Sequence, residues 1–335
     1  MPTLPIEGRS NAPGCGNPSG TDDDRDLGDM LVAAVDGGAY ATDPVVQALL
    51  EDIACRHDED GKVLAILMYG SYLRGKRDTL LDFYVLLENF RSTIDSRWQR
   101  LANQLLPPNV YYQHVQRADV DARAKYATMT LDQFERAMAG DFHSYFWSRF
   151  TQPCAVVYAR DEQALQRVLQ ALQNAVSTFI GSVAPMLPER FGASELWQTG
   201  FALTYRAELR AESGARIAEL YETHARHFDD LCSGYARRSD AAISRLADGA
   251  FRRLRPADRR RAARTWAVRR WQGKLLSALR IVKAAGTFDD PLDYLLWKIH
   301  RHSGIYIEPT ATQRRFPLLF AWPLLWRLYR LGAFR

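Results

Sequence analysis

An apolar run from Leu64 to Tyr69 ends in Gly70-Ser71, and Asp82 follows 11 residues later inside a second apolar run, Leu80 to Leu87. Such runs read as buried strands. A glycine at the end of the first lets the chain turn sharply, so that a serine hydroxyl and backbone N–H groups can hold phosphate. A carboxylate between Leu81 and Phe83 is costly in a core unless it is paired or binds a metal, so Asp82 reads as a Mg²⁺ ligand beside a triphosphate. The intervening Arg74, Lys76 and Arg77 supply cations where a departing pyrophosphate would lie. Taken singly these are ordinary turn and edge residues. Their combination points to nucleotidyl transfer. Nucleotidyltransferases usually carry Asp-x-Asp on the second strand, whereas this chain has Tyr84 there, which leaves the metal one ligand short.

Elements able to position these residues follow from hydrophobic spacing. The pattern predicts a helix over 43–56, the strand ending at Tyr69, the Asp82 strand, and a helix over 92–105 stopped by Pro107-Pro108. Val110 to Val115 reads as a third strand, and the stretch around Lys125 and Tyr126 continues the sheet. Leu131 to Ala139 returns to helical spacing, Ala155 to Tyr158 is a short buried strand, and Leu165, Val168, Leu169, Leu172 and Val176 mark a helix over 162–180. The expected fold is α+β. It is a nucleotidyltransferase (polymerase-beta-like) mixed sheet with helices, followed by a mostly helical second domain and a basic amphipathic C-terminal region. The expected divisions are a disordered tail over 1–28, a nucleotidyltransferase domain over 29–160, a helical, winged-helix-like domain over 161–250, and a membrane-associating region over 251–335.

A content of 47% apolar and 25% charged residues in 335 is that of an ordinary globular protein with room for two or three cores. The formal charge of +5 is modest, but Arg252 to Lys283 holds twelve Lys or Arg against the single acid Asp258, a block that seeks phosphate on nucleic acid or lipid. Cys15, Cys55, Cys154 and Cys232 lack paired spacing, which argues against zinc and disulfides and suits a reducing cytoplasm. His57, His143, His224, His227, His300 and His302 show no ligand spacing either. Phe316 to Trp326 falls short of the roughly 20 apolar residues that span a bilayer. Flanked by Arg314, Arg315, Arg327 and Arg330, with Trp322, Trp326 and Tyr329 among its rings, it suits an interface, or else folds back on the second domain.

Further motifs lie in order along the chain. Tyr69-Gly70-Ser71 is followed by Asp82-Phe83, Val110-Tyr111-Tyr112, Lys125-Tyr126, the spacing Tyr145, Arg149, Pro153, then Leu187-Pro188-Glu189-x-Phe191, and Tyr205 with Glu208 and Arg210. Lys274 to Arg301 is basic and includes Asp293 to His300. From about Val63 to Arg301 the chain resembles the mitochondrial-type phosphatidate cytidylyltransferases, the translocator assembly and maintenance family of CDP-diacylglycerol synthases, in a bacterial-like form. That family has a single Asp-Phe pair on the second strand, as here, and a Gly where this chain has Tyr72.

The resemblance implies Mg²⁺-dependent transfer of a cytidylyl group from CTP to phosphatidic acid, giving CDP-diacylglycerol and pyrophosphate. In-line attack by a lipid phosphate oxygen requires positioning and charge neutralisation rather than a covalent nucleophile. The expected catalytic residues are Asp82, Ser71 and Lys125. Tyr69, Gly70, Ser71, Arg74, Lys76 and Arg149 are expected on the nucleotide, and Asp119 or Asp121 beside Asp82 on the metal. The enzyme would be cytoplasmic, held peripherally at the inner face of the cell membrane by its C-terminal region, with no nucleic acid as partner. The alternatives are a nucleotidyltransferase acting on RNA, protein or a small molecule, and a non-catalytic membrane- or partner-binding protein on the same scaffold.

Overall fold

The computed structural model describes residues 26–58, 61–75, 79–90, 97–117, 120–209, 213–256, 258–287 and 310. The first described elements are three helices, α1 (Leu27–Ala34), α2 (Gly38–Ala41) and α3 (Pro44–His57). Two of them have side-chain caps: the Asp26 carboxylate accepts from Asp29 N–H, and that of Asp43 from Val45 N–H ahead of a proline in the first turn. Residues 26–28, expected within a disordered tail, are instead the cap and start of α1. Leu27, Met30 and Leu31 are buried, which draws α1 into the fold.

Strands β1 (Val63–Tyr69) and β2 (Leu81–Leu87) are joined through a 3₁₀ turn at Tyr72–Arg74. Then come α4 (Arg97–Leu105), β3 (Asn109–Arg117), β4 (Val120–Thr130), α5 (Leu131–Met138), α6 (Tyr145–Arg149) and β5 (Cys154–Ala159). The five strands form one mixed sheet in the order β3-β4-β2-β1-β5, antiparallel except for the parallel pair β2–β4. That parallel pairing needs the crossover through α4 and β3.

Each face of the sheet is covered. On one, Ile66, Met68, Phe83, Val85 and Tyr126 pack with Val46, Leu49 and Ile53 of α3. On the other, Leu67, Tyr84, Leu86 and Met129 join a larger core built by α5, α6 and α7 (Glu162–Val183). Val168, Leu172, Val176, Phe179 and Val183 of α7 are wholly buried, a stripe recurring every three or four residues, and each is worth about 1.5–3 kcal/mol in removed apolar surface.

The same core continues into β6 (Arg190–Phe191), α8 (Ala193–Arg206), α9 (Gly214–Thr223) and α10 (Ala225–Ala236), where Trp197, Phe201, Phe228 and Leu231 are buried. The chain position 160–161, expected as a domain boundary, is thus crossed by one apolar cluster. A small three-stranded sheet follows, β6-β8-β7, from β7 (Ile243–Arg245) and β8 (Phe251–Arg253). The expected boundary at 250–251 falls inside this β7–β8 hairpin, whose strands of three residues carry no readable period.

The last described helix is α11 (Arg259–Thr287), which runs back over the core. The Trp266 Nε1–H donates to Ser182 O at 3.1 Å and Arg269 Nε to Phe142 O at 2.6 Å. Farther along, Arg280 Nε donates to Pro107 O at 2.9 Å, and Lys283 Nζ to Leu106 O at 2.6 Å and Pro108 O at 3.0 Å. Side chains 21 residues along one helix thus fasten it to the loop between α4 and β3. Among the described residues no helix is long and apolar enough to cross a membrane. The segments 293–300 and 316–326, expected at a membrane, lie outside the described residues.

Candidate functional site

Register alone brings three expected residues into one row. Tyr69 pairs with Asp82 across β1–β2, and Asp82 pairs with Lys125 across β2–β4. Strand spacing of about 4.8 Å sets these three backbones side by side. All three are half-buried on the face that also carries Tyr84 and Met129, where α6 crosses the sheet. They line a cleft of about 910 Å³ together with Gly70, Ser71, Tyr145, Arg149, Tyr205, Glu208, Arg216 and Arg280. A smaller cavity of about 450 Å³ adjoins it, sharing Leu73, Pro153 and His224.

Gly70 closes β1 in the left-handed region, φ +95°, and a Cβ built there would lie 2.9 Å from Asp82 Oδ2. The carboxylate therefore lies against bare backbone that only glycine leaves open. The Ser71 hydroxyl bonds the Thr79 hydroxyl at 2.8 Å, tying the two ends of the turn. A hydroxyl has one donor and two acceptor sites, so with Thr79 donating, Ser71 keeps its own proton for a phosphate oxygen.

Charge is concentrated at the other side of the row. The guanidinium carbon of Arg149 lies 4.6 Å from the centre of the Tyr145 ring and that of Arg280 4.5 Å from it, and Arg149 also donates to Tyr69 Oη at 3.4 Å. Burial opposes ionisation of the Tyr145 phenol, but Arg149, a hydrogen bond with Tyr84, Lys125 and Arg280 together hold its pKa below the ordinary value. Burial pushes the Tyr69 phenol up instead, and only partly does Arg149 offset it. Lys283, one turn beyond Arg280 on α11, is lowered to about 8 by burial and then by Arg280.

Mg²⁺ takes one or two carboxylates plus substrate phosphates and water rather than a full protein cage. The donors present fit that pattern: Asp82 against the glycine turn, with Glu208 lining the same cleft. Among the described residues no cluster of three ligating side chains occurs. Asp121 is not brought to this place. It lies about 13 Å along β4 from Lys125, exposed, with His114 Nε2 at 2.6 Å from its carboxylate. A polar run at a hairpin end reads alike for a ligand and for such a surface pair. Asp119 and Lys76 lie outside the described residues, as does the side chain of Arg74.

Of the expected set, Tyr69, Gly70, Ser71, Asp82, Lys125 and Arg149 share the cleft. Arg280 was not anticipated. Its signal is a lone cation among Leu275, Leu276, Leu279, Ile281 and Val282, which a count of basic residues over 252–283 hides. Comparison with models of known protein families gives no match, and comparison with curated proteins gives none.

Proposed function

We propose that this cleft belongs to a nucleotidyltransferase-type fold and transfers a nucleotidyl group from a nucleoside triphosphate to a phosphate-bearing acceptor. The resemblance noted above narrows this to CTP and phosphatidic acid, with CDP-diacylglycerol and pyrophosphate as products. The observation that carries the reading is the row Tyr69–Asp82–Lys125 ending against the Gly70–Ser71 turn, one carboxylate and one cation beside a phosphate-sized bend. In this reading the turn N–H groups and Ser71 hold the β and γ phosphates, and Lys125 and Arg149 neutralise charge that develops in the transfer. Asp82 is the residue that would hold Mg²⁺, which when bound supplies further neutralisation of phosphate charge. No protein nucleophile is needed, since the acceptor's own phosphate oxygen attacks.

A membrane-bound acceptor is supported by the outer face of α11. Val268, Trp271, Leu275 and Leu279 recur at three- and four-residue spacing and are 57%, 70%, 45% and 45% exposed, an unusual setting for a tryptophan. Arg260, Arg261, Arg264, Arg270 and Lys274 are exposed on the same helix. Apolar bulk and cations together suit the headgroup zone of an anionic bilayer, at which the protein would be peripheral. The basic residues alone would serve RNA equally well, which keeps an RNA acceptor as the second reading.

The test is incubation of the full-length protein with each labelled nucleoside triphosphate, Mg²⁺, and either phosphatidate vesicles or RNA. Label from CTP alone in a lipid product, lost in Asp82→Asn, is the expected result. Label on RNA, or none on any acceptor, overturns the proposal.

A further inference from the structure

Two guanidinium groups over one phenol ring need an explanation. Arg149 and Arg280 come from α6 and α11, 131 positions apart in the chain, and both stack on Tyr145. Burial, and then the charge of Arg149, lowers the pKa of Arg280, whereas Tyr145, Tyr84, Tyr69 and Glu208 hold that of Arg149 up. Cation–π contact with Tyr145, and for Arg280 with Phe146 at 5.4 Å, offsets part of that cost. Hydrogen bonding does not complete the compensation. Arg149 Nε and one terminal nitrogen of Arg280 are buried and have no hydrogen-bond partner among the described residues. A buried donor of a charged group left unmade is expensive and calls for an explanation, which a ligand in the cleft would supply.

The surroundings say what that ligand carries. Lys125 adds a third cation whose field reaches Tyr145, and Glu208 is an acid whose field reaches both arginines. Arg149, a hydrogen bond with Tyr84, Lys125 and Arg280 together outweigh burial at the Tyr145 phenol, whose pKa falls. Three separately anchored cations match a group with three acceptor oxygens and two negative charges, and guanidinium forks bind such oxygens in pairs. A single carboxylate would leave one arm unused.

We propose that Arg280, with Arg149 and Lys125, forms a seat for a phosphomonoester dianion beside Tyr145, and that in a two-substrate reaction this seat takes the phosphate of the acceptor while the Gly70–Ser71 turn takes the nucleotide. This rests on the reading of the cleft given above. It assigns Arg280 a substrate-binding role and makes α11 a wall of the site. The shared chemistry is a terminal phosphate, whether on a lipid headgroup or a soluble molecule.

Calorimetric titration of the full-length protein with inorganic phosphate, glycerol 3-phosphate, water-soluble short-chain phosphatidate and, separately, CTP with Mg²⁺ tests the assignment. Arg280→Gln is expected to weaken the phosphomonoesters by about tenfold or more and leave CTP within about twofold, with Arg280→Lys between. Tighter binding of short-chain phosphatidate than of glycerol 3-phosphate supports a lipid source, and equal binding supports the seat with a soluble one. Unchanged phosphomonoester affinity in a folded Arg280→Gln protein overturns the seat, as does equal loss of phosphomonoester and CTP.

A measurement on the wild-type protein guards against a variant that does not fold. Phosphate bound at the seat must raise the pKa of the Tyr145 phenol, facing Arg149, Tyr84, Lys125 and Arg280. It is read as phenolate absorbance lost from a pH titration on adding phosphate, a loss absent in Tyr145→Phe. No such loss overturns the proposal. Arg280-dependent phosphate binding without any nucleotide binding would sink the transferase reading and leave the seat standing, and the converse result would do the reverse.

Discussion

Alanine at Gly70 is the sharpest perturbation the cleft offers, because the same turn contains its own control. Gly70 has φ +95° and Gly75 φ +79°, so alanine at either forces a side chain into the left-handed region at about 1–2 kcal/mol. At Gly70 the new Cβ meets Asp82 Oδ2 at 2.9 Å, closer than real Cβ atoms come, whereas among the described residues nothing lies within 4 Å of a Cβ at Gly75. The carboxylate must therefore rotate or move by about half an ångström in Gly70→Ala. Displacing a group that orients or ligates a metal typically costs about ten- to hundredfold in affinity. Both variants are thus expected to lose about 1–2 kcal/mol in urea unfolding. Mg²⁺-dependent CTP binding, followed by calorimetry, should fall about ten- to hundredfold in Gly70→Ala and less than about twofold in Gly75→Ala. Equal effects of the two on CTP binding, or wild-type binding by Gly70→Ala, would refute the role given to Asp82.

Three further outcomes follow from burial and exposure. Burial, then Arg56, lowers the pKa of His57 to about 4, burial with Arg280 and Arg269 lowers that of His143 to about 3, and burial lowers that of His227 to about 4. The unfolded chain takes up these protons first, so stability is full above about pH 6.5 and falls toward pH 4, by up to about 1.4 kcal/mol per pH unit for each histidine. Urea midpoints should drop between about pH 7 and 5, and less so in His143→Gln; a flat profile would contradict the burial. Among the described cysteines, Cys55 is exposed while burial pushes the Cys154 thiol up to about 12 and the Cys232 thiol higher still. Alkylation of the native protein, mapped by mass spectrometry, should mark Cys55 and spare those two until denaturant is added. Finally, Trp271→Ser combined with Leu275→Ser should cut sedimentation with anionic vesicles about tenfold, and added salt should weaken what remains. Unaltered sedimentation would remove α11 as the lipid contact.

Two of the three strands that build the row, β1 and β2, were legible because each is an apolar run bounded by turn residues, and their observed limits lie within a residue or two of the expected ones. Asp82 stood out for the same reason, as a charge where the pattern demands an apolar side chain. What the sequence did not reveal was adjacency. Lys125 lies 43 positions after Asp82, and only the crossover through α4 and β3 makes them neighbours in a parallel pair. Arg280 joins through α11, 131 positions after Arg149, so no local spacing connects the two. The metal carboxylate sought near 119–121 illustrates the opposite failure. Asp121 is of the right type, close in sequence, and on a strand of the right sheet, but the strand carries it away from the cleft to His114.

The fastening of α11 to the carbonyls of residues 106–108 bears on the order in which the protein matures. The turn, the carboxylate and the first two cations are all synthesised before residue 150, yet the wall bearing Arg280 emerges from the ribosome some 130 residues later. A nascent or prematurely terminated chain holding the whole central sheet therefore lacks one side of its cleft. Translation must pass α11 before the site is assembled, so binding competence is not a property of the N-terminal half of the chain.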